Sequence, residues 1–112
     1  MNTTLSQELL DRIITIITGA RPLVEAVGRK DRDLESQLRR ALSSVALNLA
    51  EGFGCHAGNA RLRFRTALGS LYEARAALRV AGAWGYLDGA SANRVVAELD
   101  SLGARLFGLA RR

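Results

Sequence analysis

A chain of 112 residues, 48% of them hydrophobic and only one of them proline, is long enough for one domain with a real core and too short for two of typical size, and its composition excludes disorder. All but one of the 16 basic residues are arginine, Lys30 being the exception, and the net charge is +5. Such a balance favours polyanionic partners, nucleic acid foremost, although an arginine bias also follows from genomic base composition.

The first helix is predicted over about residues 6–27, with Ser6 as its N-cap. Leu5, Leu9, Ile13, Ile16, Ala20, Leu23 and Val27 keep helical spacing. Pro22 lies inside that run and predicts a kink or break between Thr18 and Pro22. The β-branched stretch "IITIIT" would suit a strand, but the chain holds no second strand for it to pair with, so it is read as helix. The N-terminus lacks the basic region of a signal peptide, and Glu8, Asp11 and Arg12 interrupt its apolar segment. No apolar run in the chain reaches membrane-spanning length.

A polar turn, Gly28 to Arg32, leads to a second helix over about 33–53. Asp31, Asp33 and Glu35 lie near its start and suit the positive end of its dipole, and Gly52 and Gly54 mark its end. The loop that follows contains Cys55-His56. These two adjacent ligands cannot close a structural zinc site by themselves, and no cofactor is expected. A single cysteine also excludes a disulfide within the chain, which fits a reducing cytoplasm.

The third helix is predicted over about 59–81 with Asn59 as N-cap, and Phe64, Leu68, Leu71 and Leu78 form its apolar stripe. Ala67, Gly69, Ser70, Ala74, Ala76 and Ala77 make it thin, which suits a central position or a subunit contact. Arg61, Arg63 and Arg65 occupy its first two turns, where cations oppose the helix dipole. With no acidic residue between Glu51 and Glu73, they are candidates for phosphate contact, Arg39 being a secondary one. Arg61 and Arg65 share a face, and Arg63 points nearly opposite. The competing reading is a solvated face or ion pairs to other helices. Aromatic residues do not alternate with these arginines, so any binding is expected to follow the phosphate backbone.

"GAWGYLDG" lacks the spacing and the lysine of a P-loop, and Trp84 and Tyr86 are expected to cap the end of the domain. The fourth helix is predicted over about 90–110. Val95, Leu99, Leu102, Leu106 and Leu109 recur by four and three as in a bundle seam, with Val96, Gly103, Phe107 and Ala110 extending that face. Four helices joined by short turns predict an all-α, antiparallel up-and-down four-helix bundle over residues 1–112.

The second helix carries two stripes. Leu38, Leu42, Val45, Leu49 and Phe53 are apolar, while Gln37, Arg40, Ser44, Asn48 and Glu51 are polar and equally straight. A polar stripe flanked by packing surfaces needs partners. Arg75, Tyr72 and Glu73 of the third helix are the candidates. Arg75 falls inside that helix's apolar stripe, and an Arg75–Glu51 pair is expected. The stripe is read as a structural network of Gln37, Arg40, Ser44, Asn48, Glu51 and Arg75, in preference to a catalytic cleft. It contains no histidine, no activated nucleophile and no second carboxylate for acid–base work.

These residues also carry a resemblance. "QLRRALSSVALNLAEG" followed by "FRTALGSLYEARAALRVAGAWGYL" resembles the bacterial four-helix bundle proteins encoded by intervening sequences in 23S ribosomal RNA genes. The matching positions are Gln37, Arg39, Arg40, Ala41, Ser44, Asn48, Ala50, Glu51 and Gly52, then Ala67, Gly69, Ser70 and Glu73, then Gly85 and Tyr86. "VALN" departs from the family's commoner "VPSN"-like run, and "RKDRD" is more polar than in many relatives. The resemblance implies a homopentameric ring with a central channel and no known enzymatic activity. It also implies kinship with the pentameric, basic accessory protein of diversity-generating retroelements, which binds nucleic acid and its reverse transcriptase. The expectation is therefore a cytoplasmic, non-enzymatic homo-oligomer that binds RNA or DNA through arginines. The alternative is a protein-interaction scaffold serving a reverse transcriptase or another acidic partner, with no affinity for nucleic acid.

Overall fold

In the computed structural model, which describes residues 3–55 and 57–111, every element is a helix: α1 (Thr3–Gly28), α2 (Arg32–Phe53), α3 (Ala57–Ala83) and α4 (Gly89–Ala110). The molecule measures 42 × 21 × 19 Å. At 1.5 Å per residue α1 is about 39 Å long, so the helices lie along the long axis. Connections of three to five residues force each helix to run back along the one before it. The packing follows chain order, α1 on α2, α2 on α3, α3 on α4, and α4 back on α1. The thin helix α3 lies between α2 and α4, as its run of small residues predicts.

The core is one continuous cluster of aliphatic side chains. Leu9 and Ile13 of α1, Leu38 and Leu49 of α2, Leu71 and Leu78 of α3, and Leu99, Leu102 and Leu106 of α4 are all fully buried. Burial of each is worth about 1.5–3 kcal/mol in transfer free energy, so these positions dominate the favourable side of folding. No polar or charged residue is fully buried among the described residues.

The helix starts correct two expectations. Asp31 caps α2, its side chain accepting from the Leu34 N–H at 3.0 Å, and Asp88 caps α4 by accepting from the Ser91 N–H. Both aspartates satisfy backbone donors that have no partner in the helix. Ser6 and Asn59 are not caps, because α1 and α3 already run through them. The predicted break near Pro22 is also absent. α1 is continuous through Pro22, which is exposed, so the lost hydrogen bond falls on the solvent side.

Two glycines have stated reasons. Gly52 is buried in the last turn of α2, where a Cβ would lie 2.5 Å from the Phe64 ring. Gly85 in the α3–α4 connection takes φ 81°, the left-handed region open to glycine. Trp84 does not cap the bundle: it is 69% exposed, while Tyr86 is half-buried.

Candidate nucleic-acid and subunit surfaces

The polar stripe of α2 divides into two parts. Its C-terminal half meets α3. The Ser44 and Ser70 hydroxyls lie 2.7 Å apart, and Asn48 Nδ2 donates to Ser44 O at 2.9 Å and to Ser44 Oγ at 3.0 Å. One step further, Glu51 Oε2 pairs with Arg63 Nε at 3.1 Å. Seven residues along α2 correspond to seven residues back along α3, the register of an antiparallel pair closed by a short connection. Continued the other way, that register sets Arg40 and Gln37 opposite Ala74 and Ala77, which offer no polar group. Both side chains are exposed and make no hydrogen bond or ion pair among the described residues. Within one chain, Gln37 and Arg40 therefore stand apart from the Ser44–Asn48–Ser70 hydrogen bonds.

The Arg75–Glu51 pair does not exist. Arg75 lies twelve residues, about 18 Å of helix, beyond the position that faces Glu51. It reaches to α4 instead, with Nε 3.0 Å from Asp100 Oδ1. That contact is an ion pair rather than a directed hydrogen bond, since the buried Nε has no acceptor in line with its N–H. The other expected partners, Tyr72 and Glu73, are exposed. Glu51 itself is 55% exposed and borders an open groove lined by Arg39, Arg40, Leu47 and Arg63, so it is no buried acid–base group.

The arginines chosen as phosphate contacts separate in the same way. Arg63 faces α2 and is neutralised by Glu51, and Arg39 lies 3.8 Å from Glu35 one turn back along α2. Arg65 faces α4, where its Nε donates to Ala110 O at 3.2 Å, a cation at the negative end of that helix. Arg61 is exposed one turn from Arg65 and has no partner among the described residues. Arg111 follows Ala110 directly, its guanidinium 5.6 Å from the centre of the Phe107 ring. Arg61, Arg65 and Arg111 thus stand at one end of the bundle, on its α3–α4 edge. Sequence reasoning missed Arg111, because only the fold brings the end of α4 beside the start of α3. Cys55 is half-buried, and His56 lies outside the described residues.

Charge is divided unequally around the bundle. α2 and α3 together carry eight arginines and four carboxylates, whereas α1 and α4 carry four arginines and five carboxylates. No described helix is long and apolar enough to cross a membrane.

Helix order, short connections and a single aliphatic core define the chain as an up-and-down four-helix bundle. It belongs to the 23S rRNA-intervening sequence protein family, whose model matches residues 6–108. Among solved structures it is similar to a protein of unknown function from the S23 ribosomal protein family of Bacteroides thetaiotaomicron. The two share 12% identity and a TM-score of 0.84 over 93% of this chain and 99% of that one. That likeness shows a shared fold. No curated protein matches the sequence.

Proposed function

We propose that the protein is a non-enzymatic, cytoplasmic homo-oligomer that binds RNA or DNA through phosphate contacts. The uneven charge carries this reading: the α2–α3 half has a surplus of four positive charges and the α1–α4 half a deficit of one. A polyanion is drawn to the first half and not to the second. Arg61, Arg65 and Arg111 are the side chains we choose to meet it, since they stand together at one end of the bundle and none of them is neutralised by a carboxylate. Arg63 and Arg39, already paired, are of lower rank than the sequence alone suggests. The oligomer is the ring of five copies that the family resemblance implies. Seven large hydrophobic side chains left exposed among the described residues, Leu47, Leu62 and Phe107 included, are consistent with surfaces that other copies cover.

The test is fluorescence anisotropy of a labelled structured RNA and a duplex DNA of similar length across a salt series. Micromolar or tighter binding with a steep salt slope is expected. Replacing Arg61, Arg65 and Arg111 together by Ala should lower that slope by up to about three, while Arg63→Ala should leave it nearly unchanged. No binding at low salt would overturn the reading in favour of a scaffold for a reverse transcriptase or another acidic protein.

A further inference from the structure

Two open grooves on opposite sides of the bundle carry opposite charge. One lies between α1 and α4, has a volume of about 620 Å³, and is lined by Glu8, Asp11, Arg12, Thr15, Ala97 and Glu98 among others. Arg105 holds Glu8 at 3.2 Å, and Arg12 donates to Ser101 Oγ at 2.9 Å. Asp11 and Glu98 are left exposed and without a partner among the described residues. The other groove, about 480 Å³, runs along α2 toward α3. There Arg40 has no partner, and Arg39 is held only by its 3.8 Å contact with Glu35. One turn beyond Ser43 and Ser44 on this second face stands Leu47, 65% exposed. Beside its charges, the groove between α1 and α4 is lined by Thr15, Ile16, Ala97 and Ser101. The two faces therefore match in charge, two arginines against two carboxylates, and the basic face also carries an exposed leucine.

We propose that these faces pair between copies: the α1–α4 groove of one chain receives the Leu47 face of α2 from the next, with Arg39 and Arg40 against Asp11 and Glu98. The proposal rests on the homo-oligomer proposed above and adds which surfaces meet. The two faces differ and lie on opposite sides, so the contact is head-to-tail. Each added copy leaves one free face of each kind, and the chain of contacts closes into a ring or extends into a filament. Leu47 supplies the apolar contact, and the charges fix register and reject the wrong face. The Arg61–Arg65–Arg111 edge is not used, so self-association and phosphate binding are separable.

The test uses the whole chain, freed of nucleic acid by nuclease and high salt, with mass read by light scattering. Two double variants invert one face each, Arg39→Glu with Arg40→Glu and Asp11→Arg with Glu98→Arg. All four positions are exposed, so helicity by circular dichroism should be unchanged. Each variant alone should self-associate at least about tenfold more weakly than the parent chain. The quadruple variant, which carries all four substitutions in one chain, should reassemble, because an inverted face then meets an inverted partner at every contact whatever the number of copies. A monomeric parent chain would overturn both the oligomer and this pairing. An oligomeric parent with both variants undisturbed would overturn the pairing alone. Disruption by only one of the two variants would point to a symmetric contact and overturn it as well, as would a quadruple variant that keeps its helicity but fails to reassemble.

Discussion

At the scale of single residues, the α2–α3 interface shows how little charge and how much packing it relies on. Gly52 and Gly69 are both helical glycines, and replacing them by Ala should have opposite effects. At Gly52 the new methyl meets the Phe64 ring, which is itself packed edge-on against Phe53 with centroids 5.1 Å apart and cannot easily retreat. Overpacking of about 1–3 kcal/mol then outweighs the gain of about 1 kcal/mol in helix propensity. At Gly69 nothing lies within 4 Å of the added carbon, so only the propensity gain remains. Urea denaturation should show Gly52→Ala less stable and Gly69→Ala more stable than the parent. Equal effects would mean that the Phe64 contact imposes no constraint.

The polar groups of the same interface rank by burial. Ser70→Ala removes a half-buried partner of the Ser44 hydroxyl and should cost about 0.5–1.5 kcal/mol. Glu51→Ala breaks an ion pair whose two side chains are 55% and 46% exposed, and solvent screening should hold its cost below about 1 kcal/mol. Thermal melts of the two variants decide the order. If Glu51→Ala proved the more damaging, the stripe would be electrostatic rather than hydrogen-bonded.

At the scale of elements, α1 is the helix whose sequence and structure differ most. A proline inside a helix removes one i to i−4 hydrogen bond and crowds the preceding turn, yet α1 continues from Thr3 to Gly28. The surrounding burial explains it. Ile13, Ile16 and Ala20 before the proline, and Val24 and Val27 after it, lie in one continuous buried stripe. Breaking the helix would expose that stripe, at a cost larger than the proline's. Pro22→Ala should therefore stabilise the protein by up to about 3 kcal/mol, read from the urea midpoint at unchanged m-value. A destabilised variant would show that a bend at Pro22 is needed for packing on α2 and α4. The ends of α2 and α4 belong to the same scale. Asp31 is legible in the sequence as a carboxylate at the start of α2, whereas Asp88 reads as part of the turn "GAWGYLDG" and only the structure shows that it caps α4.

At the scale of the whole molecule, function depends on which charges end up as neighbours. The +5 net charge is a property of the chain, but its concentration on the α2–α3 half follows from helix order. The same order puts Arg63 beside Glu51 and leaves Arg61 and Arg65 toward α4. Three arginines that look equivalent in "RLRFR" thus have three different surroundings: one solvated, one ion-paired and one holding a helix terminus. This division predicts separable roles, with phosphate binding on the α3–α4 edge and self-association through α2 and the α1–α4 groove.

What the sequence by itself determined is the set of four helices, their apolar stripes and their antiparallel order. Leu38, Leu49, Leu71, Leu78 and Leu99 announce the core because a 3.6-residue period leaves one face apolar, and connections of a few residues allow only a reversal. The family signature along α2 and α3 was likewise readable before any coordinates. The lateral register across helices was left to the tertiary structure. Arg75 could be seen to interrupt an apolar stripe, but whether it reached α2 or α4 depended on a rotation about α3 that periodicity does not set. The Glu51–Arg63 pair was accessible in principle, by counting back from a short connection. The meeting of Arg65 with the end of α4, and the opposition of the acidic and basic grooves, were not. The first joins residues 45 positions apart, and only the closing of α4 onto α1 and α3 brings those surfaces into place.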